Sequence, residues 1–101
     1  MGEAWVVRLR FTLRAAAELD EVLTYIDARS PRGARKVKAR IQATIELLRS
    51  HPRAGQVTSH GRLRRVVAHP FPYLIFYGST DDEVVIHGVR HAARRPSSMP
   101  S

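Results

Sequence analysis

The stretch that decides the fold runs from residue 61 to residue 77 and reads GRLRRVVAHPFPYLIFY. Its last part, Tyr73 to Tyr77, is aromatic and aliphatic throughout, a composition typical of a half-buried strand. The segment His69-Pro70-Phe71-Pro72 places two prolines where no ladder N–H is required. The stretch therefore predicts two antiparallel strands joined by a proline corner, and the first of them carries Arg62, Arg64 and Arg65.

The preceding part of the chain predicts two helices. In the first, from Leu13 to about Ala28, the apolar residues recur at i, i+3, i+4 and i+7, namely Leu19, Val22, Leu23 and Ile26. Ser30-Pro31 is a start signal for the second, which runs to about Ser50. Its apolar stripe comprises Ala34, Val37, Ile41, Ile45 and Leu48. The short link between the helices predicts an antiparallel hairpin.

Two further strands complete the predicted order β-α-α-β-β-β, one from Trp5 to Leu9 and one from Glu83 to Arg90. Residues 56–61 are expected to form a polar loop. The fold class is α+β, with the helical hairpin packed on one face of an antiparallel sheet. The opposite face is expected to be open and partly lined by arginine. Residues 1–91 are predicted to form a single domain, and residues 92–101 a flexible C-terminal tail.

The charge of the chain predicts an anionic partner. Seventeen Lys and Arg against nine Asp and Glu give a net charge of +8, which favours binding to nucleic acid or to an acidic protein segment. No cysteine is present, so disulfides and thiolate–metal sites are excluded. The N-terminus has no signal-peptide layout, and no apolar run approaches the roughly 20 residues that span a bilayer. A cytoplasmic location is therefore expected.

Four segments, in this order and spacing, carry a resemblance to a known family. They are AELDEVLTYI (residues 17–26), SPRGA with LLRSHPRAG (30–34 and 47–55), FPYLIFY with the preceding Gly61 and Arg64 (71–77), and VRHAAR (89–94). The chain resembles the RelE/ParE superfamily of bacterial toxins, the toxin halves of type II toxin–antitoxin modules. The resemblance implies the fold predicted above and a cognate antitoxin, which is expected to be acidic.

The superfamily implies two different activities. RelE-like members cleave messenger RNA in the ribosome, whereas ParE-like members inhibit DNA gyrase. RNA cleavage needs a base, a cation and an acid, and RelE-like nucleases have an arginine directly after the motif tyrosine and an aromatic hydroxyl near the C-terminus. Here Leu74 follows Tyr73, and no tyrosine follows Tyr77. The ParE-like activity is therefore preferred, with a RelE-like ribosome-dependent nuclease or an inactive antitoxin-binding homologue as alternatives.

The resemblance also suggests site residues. Candidates for partner binding are Arg62, Arg64, Arg65, Arg90 and Arg94, and a nuclease would use Arg64, Arg65, Arg90 and His91. The arginines could equally form a solvated edge that blocks aggregation, and the histidine could cap the end of the sheet. Although His87 shares a strand face with His91 by alternation, no carboxylate lies at a suitable spacing. We therefore expect no metal and no cofactor. The three tyrosines, including Tyr25, are expected to be packing residues.

Overall fold

The predicted central hairpin forms the middle of a five-stranded sheet. The computed structural model describes residues 7–93, in which β3 pairs antiparallel with β4 around the proline corner. The elements in chain order are β1 Arg8–Phe11, α1 Leu13–Asp27, α2 Pro31–Ser50, β2 Gln56–Val57, β3 Arg64–Val67, β4 Tyr73–Ser79 and β5 Glu83–His91. The α+β fold, with two helices against a sheet, is therefore confirmed.

The sheet is mixed and not wholly antiparallel. Its strand order is β1-β5-β4-β3-β2, and β1 runs parallel to β5 while the other neighbouring pairs are antiparallel. A tight hairpin turn forces its two strands to be antiparallel, whereas β1 leads directly into α1 and meets β5 only after the rest of the chain. Strand periodicity carries no information on direction, so the sequence alone missed this parallel pair.

Two strand predictions need correction. The first strand is Arg8–Phe11, shifted from the predicted Trp5–Leu9, and Trp5 itself lies outside the described residues. Leu9 and Phe11 pack against the core, whereas the two arginines of β1 are exposed. The predicted 56–61 loop contains β2, whose two exposed residues are too few to show alternation. Of the predicted tail, only residues 92 and 93 are described, and they form a turn.

Each helix begins directly after a hydroxyl residue that caps it, Thr12 before α1 and Ser30 before α2. The Thr12 hydroxyl accepts a hydrogen bond from the Ala15 N–H at 3.0 Å, and the Ser30 hydroxyl accepts one from the Gly33 N–H at 2.9 Å. The whole predicted stripe of α2 is buried, which confirms it. The stripe of α1 is only half-buried, and Ala15 is the buried residue of that helix.

The core lies between the helices and one face of the central strands. The largest fully buried side chains belong to α2, β4 and β5: Ile41, Leu48, Ile75, Tyr77, Val84, Ile86 and Val89. The expected packing role of Tyr73 and Tyr77 is confirmed by their burial, whereas Tyr25 is 60% exposed and the expectation for it was wrong. Within residues 7–93, no helix is long and apolar enough to cross a membrane.

Candidate functional site

A basic groove of about 640 Å³ opens on the sheet face away from the helices. It lies between β1, the β4–β5 turn, β5 and the loop before β3. Its floor is apolar, because Val85 and Leu63 are each only 8% exposed. Its walls carry cationic and titratable side chains, namely Arg10, His60, Arg62, Glu83 and His87. We call this the sheet-face groove.

A β-bulge sets the position of His87 in this groove. Phe76 pairs with Gly88 and Tyr77 pairs with Ile86, so His87 is the extra residue on β5. Burial lowers the pKa of its imidazole, and the nearby Arg10 guanidinium lowers it further. His87 is therefore biased toward its neutral form, able both to donate and to accept a hydrogen bond.

The permanent positive charge available in the sheet-face groove comes mainly from Arg62. Arg10 forms an ion pair with Glu83 at 3.2 Å, which partly neutralises it. Arg62 is exposed, and its side chain has no hydrogen bond or ion pair to any residue in the described range 7–93. It precedes β3 and is not part of the strand. Of the predicted partner-binding arginines that the structure describes, Arg62 is thus the one that lines this groove.

Arg64 holds the loop that follows α2. Its guanidinium donates to the Gly55 carbonyl at 2.8 Å. The Tyr77 hydroxyl contacts the same loop, accepting from the Gly55 N–H at 2.9 Å and donating to the Pro52 carbonyl at 2.7 Å. Both side chains therefore satisfy backbone groups that the turn after α2 would otherwise leave unpaired. The hydrogen bond from Arg64 to Gly55 therefore stabilises the loop that follows α2.

A second groove, of about 770 Å³, lies between α1 and the end of β5. At its base the Glu18 carboxylate accepts the Val89 N–H at 3.0 Å, and it also accepts from Arg90 Nε at 3.1 Å and Nη2 at 3.0 Å. The Arg90 side chain is only 8% exposed. The remaining walls include Val22 and the exposed Tyr25. We call this the α1 groove.

His91 lies on the rim of the α1 groove. Its ring packs edge-on against Tyr73, with the centroids 5.3 Å apart. Its Nδ1 accepts a hydrogen bond from the Ala93 N–H at 3.0 Å, so the neutral ring carries its proton on Nε2. In this arrangement the Nδ1 lone pair of His91 already accepts a backbone N–H.

The predicted nuclease residues are not gathered at one point. Arg65 pairs with Phe76, and His91 pairs with Tyr73. Directly paired residues share a face, and positions three apart on a strand point to opposite faces. Arg65 and His91 therefore project from opposite sides of the sheet, while the Arg90 guanidinium is held by Glu18. Arg94 lies outside the described residues.

Sequence reasoning missed several residues that build these sites. Nothing in the sequence distinguishes Glu18 from the other carboxylates of α1, although it joins that helix to β5. Arg10, His60 and His87 reach one groove from separate parts of the chain. Their convergence depends on the β1–β5 pairing and on the bulge, neither of which has a clear signal in this sequence.

Comparison with known proteins gives consistent matches along the chain. A sequence model of the ParE toxin of the type II toxin–antitoxin system parDE matches residues 9–96. The putative toxin Y4kP of Sinorhizobium fredii is 38% identical over 85 residues, 84% of this chain and 88% of that protein. Toxin RelE2 of Caulobacter vibrioides is 36% identical over 84 residues, 83% of this chain and 93% of that protein.

A solved structure matches the fold as well. A chain from the chromosomal ParDE TA system of P. aeruginosa aligns with a TM-score of 0.75 and 20% sequence identity. The alignment covers 87% of this chain and 98% of that one. At that identity the likeness concerns the arrangement of helices and strands, which is shared almost throughout.

Proposed function

The chain belongs to the ParE toxin family of type II toxin–antitoxin systems, and from that premise we propose that it inhibits DNA gyrase when it is free of its antitoxin. Poisoning would occur through protein–protein contact and without cleavage of a substrate. The observation that carries this choice is the ion pair between Arg90 and Glu18. In the nuclease alternative, the Arg90 guanidinium would have to bind the phosphate of the RNA, but here it is already bound to the Glu18 carboxylate.

Three further observations support a non-nucleolytic toxin. The residue after the motif Tyr73 is Leu74, which can neither bind phosphate nor transfer a proton. The Arg64 guanidinium donates to a backbone carbonyl. The Nδ1 atom of His91 is already hydrogen-bonded. RNA cleavage needs these groups within reach of one phosphodiester, and Arg65 and His91 lie on opposite faces of the sheet.

A cognate antitoxin is the partner that the family supports most directly. We propose that its C-terminal segment folds onto the toxin and fills the α1 groove. That groove contains Tyr25, which is 60% exposed, and the half-buried Val22 beside it. The chain's charge of +8 favours a segment that carries excess carboxylates outside its apolar anchors.

The gyrase proposal is tested by expressing the chain alone and by adding the purified protein to gyrase. We expect filamentous cells with a DNA-damage response, and loss of supercoiling activity in vitro. Arg65→Ala and His91→Ala should leave toxicity largely intact. Rapid translation arrest with cut transcripts would instead favour the RelE-like nuclease. Loss of toxicity in both variants, with the fold preserved, would overturn the gyrase assignment.

The antitoxin surface is tested separately with the cognate antitoxin, which we expect to be a short acidic protein encoded beside this chain. Tyr25→Ala should weaken its binding at least tenfold, because aromatic anchors dominate such interfaces. Leu47→Ala is the matched control, since Leu47 is 51% exposed and lies on α2 away from the groove. Equal effects of the two substitutions would contradict a role for the α1 groove.

A further inference from the structure

The outward face of α2 carries a regular row of cations. Arg32, Lys36 and Arg40 follow one another at intervals of four residues, and all three are exposed. Four residues of α-helix rise about 6 Å, so the row extends about 12 Å along the helix. We call it the α2 cation row. Arg35, three residues after Arg32, is exposed as well and adds to its positive potential.

In the described part of the chain, no carboxylate neutralises this row. The acidic residue of α2 is Glu46, which forms an ion pair with Arg49 at 3.3 Å near the other end of the helix. Within residues 7–93, none of the row's side chains has an ion pair or a hydrogen bond. Although α1 is acidic, the ion pairs of the described region do not link α1 to α2. The positive charge is therefore available to a partner.

The placement of these charges opposes the stability of the helix. Like charges four residues apart repel one another. Cations near the beginning of a helix also meet the positive end of its dipole, and the first turn of α2 contains no acidic residue. A helix selected only for stability would place carboxylates here. An external polyanion would offset both repulsions at once.

The shape of the surface narrows the choice of polyanion. Ala39 and Ala43 are exposed on the same side of α2, so small side chains allow a backbone to approach closely between the cations. The row lies on a convex helix surface, not in a cleft. The major groove of B-form DNA admits an α-helix, whereas the major groove of A-form RNA is deep and narrow. A row of cations on such a surface suits phosphates that flank the wide groove.

We infer that the α2 cation row binds the phosphate backbone of duplex DNA without reading its sequence. This inference goes beyond gyrase inhibition, and it holds whichever complex the toxin acts on. DNA contact through α2 would leave the sheet-face groove and the α1 groove free for other partners. It would also hold the toxin close to enzymes that work on DNA.

The test is a salt titration of binding to a fluorescent 24-base-pair DNA duplex. Three phosphate contacts predict a slope of log affinity against log salt of about −2.7. The row variant Lys36→Gln/Arg40→Gln should lower the size of that slope by about 1.8 and weaken binding at least tenfold at about 0.1 M salt. Circular dichroism would verify that both wild type and variant keep their helices.

The matched control is Arg8→Gln/Arg53→Gln, which removes the same net charge from two exposed positions outside the row. It should change the affinity by less than threefold. If the two double variants weakened DNA binding equally, the affinity would depend only on the net charge of the protein. That outcome would overturn the assignment of DNA binding to α2. Absence of binding by the wild type at about 0.05 M salt, or tighter binding of a duplex RNA of equal length, would overturn the DNA proposal.

Discussion

Glu18 of α1 and Arg90 of β5 are 72 residues apart in the chain, yet they form a largely buried ion pair. Two guanidinium nitrogens of Arg90 lie 3.0 and 3.1 Å from the carboxylate, and Arg14 Nε lies 3.4 Å from it. The carboxylate also accepts the Val89 N–H. One side chain thus joins the first helix to the last strand. It also satisfies a backbone donor in β5 beyond the segment that pairs with β1.

Glu18→Gln should destabilise the fold by about 3 kcal/mol, because it leaves the charge of Arg90 buried without its partner. The free energy of unfolding from urea denaturation measures the effect. Glu21→Gln is the control, since Glu21 is an exposed carboxylate on the same helix. If the two variants were equally stable, the pair would contribute no more than a surface contact.

Gly55→Ala should destabilise the protein by about 2 kcal/mol through overpacking. A Cβ atom at this position would lie 2.6 Å from the Arg65 carbonyl oxygen and 2.8 Å from the Tyr77 hydroxyl. Its φ is not positive, so the cost is steric. Gly61→Ala is the matched control, because a Cβ there meets nothing within 4 Å. Thermal unfolding should separate the two variants, and equal melting temperatures would contradict the close approach.

Tyr77→Phe should cost about 1–3 kcal/mol, because the Gly55 N–H and the Pro52 carbonyl both lose their partner in a buried place. Hydrogen exchange should become faster at the Gly55 amide in particular, whereas a general loss of packing would speed exchange at many amides. Tyr25→Phe serves as the control, since the Tyr25 side chain is mostly exposed. An unchanged exchange rate at Gly55 would argue against this anchor.

The protein should lose stability in mild acid through His87. Burial and Arg10 lower the pKa of His87 in the folded state below its ordinary value of 6.5. Below 6.5 the unfolded chain therefore binds this proton more readily than the folded chain does. The contribution of His87 to stability is fully present above pH 6.5. It decreases as the pH is lowered from 6.5 through the pKa of His87 in the folded state.

His87→Gln should make the free energy of unfolding less dependent on pH below 6.5. The exposed His51 supplies the control variant, His51→Gln.

Arg10→Gln should move the titration of His87, followed by NMR, toward higher pH, because it removes a repelling charge. An unchanged titration would mean that Arg10 has no electrostatic effect on the imidazole.

Local signals in the sequence were enough for most of the secondary structure. Thr12 and Ser30 start the helices because their hydroxyls accept N–H groups that a helix leaves unpaired. The apolar stripe of α2 was fully predicted, since helical periodicity is a property of neighbouring residues. The sequence marked the candidate arginines as possible binding residues, but it did not predict their contacts within the chain. Arg64 and Arg90 both have intramolecular partners that sequence spacing does not reveal.

The sequence by itself determined the helical hairpin, the proline corner and the excess of positive charge, because each follows from short-range pattern or composition. Only the tertiary structure decided the direction of β1, the position of Glu18 beside Arg90 and the convergence of His60 and His87 on one groove. These features join residues that are distant in the chain. Strand pairing and packing against the whole core determine these features, so they cannot be predicted from the preferences of neighbouring residues.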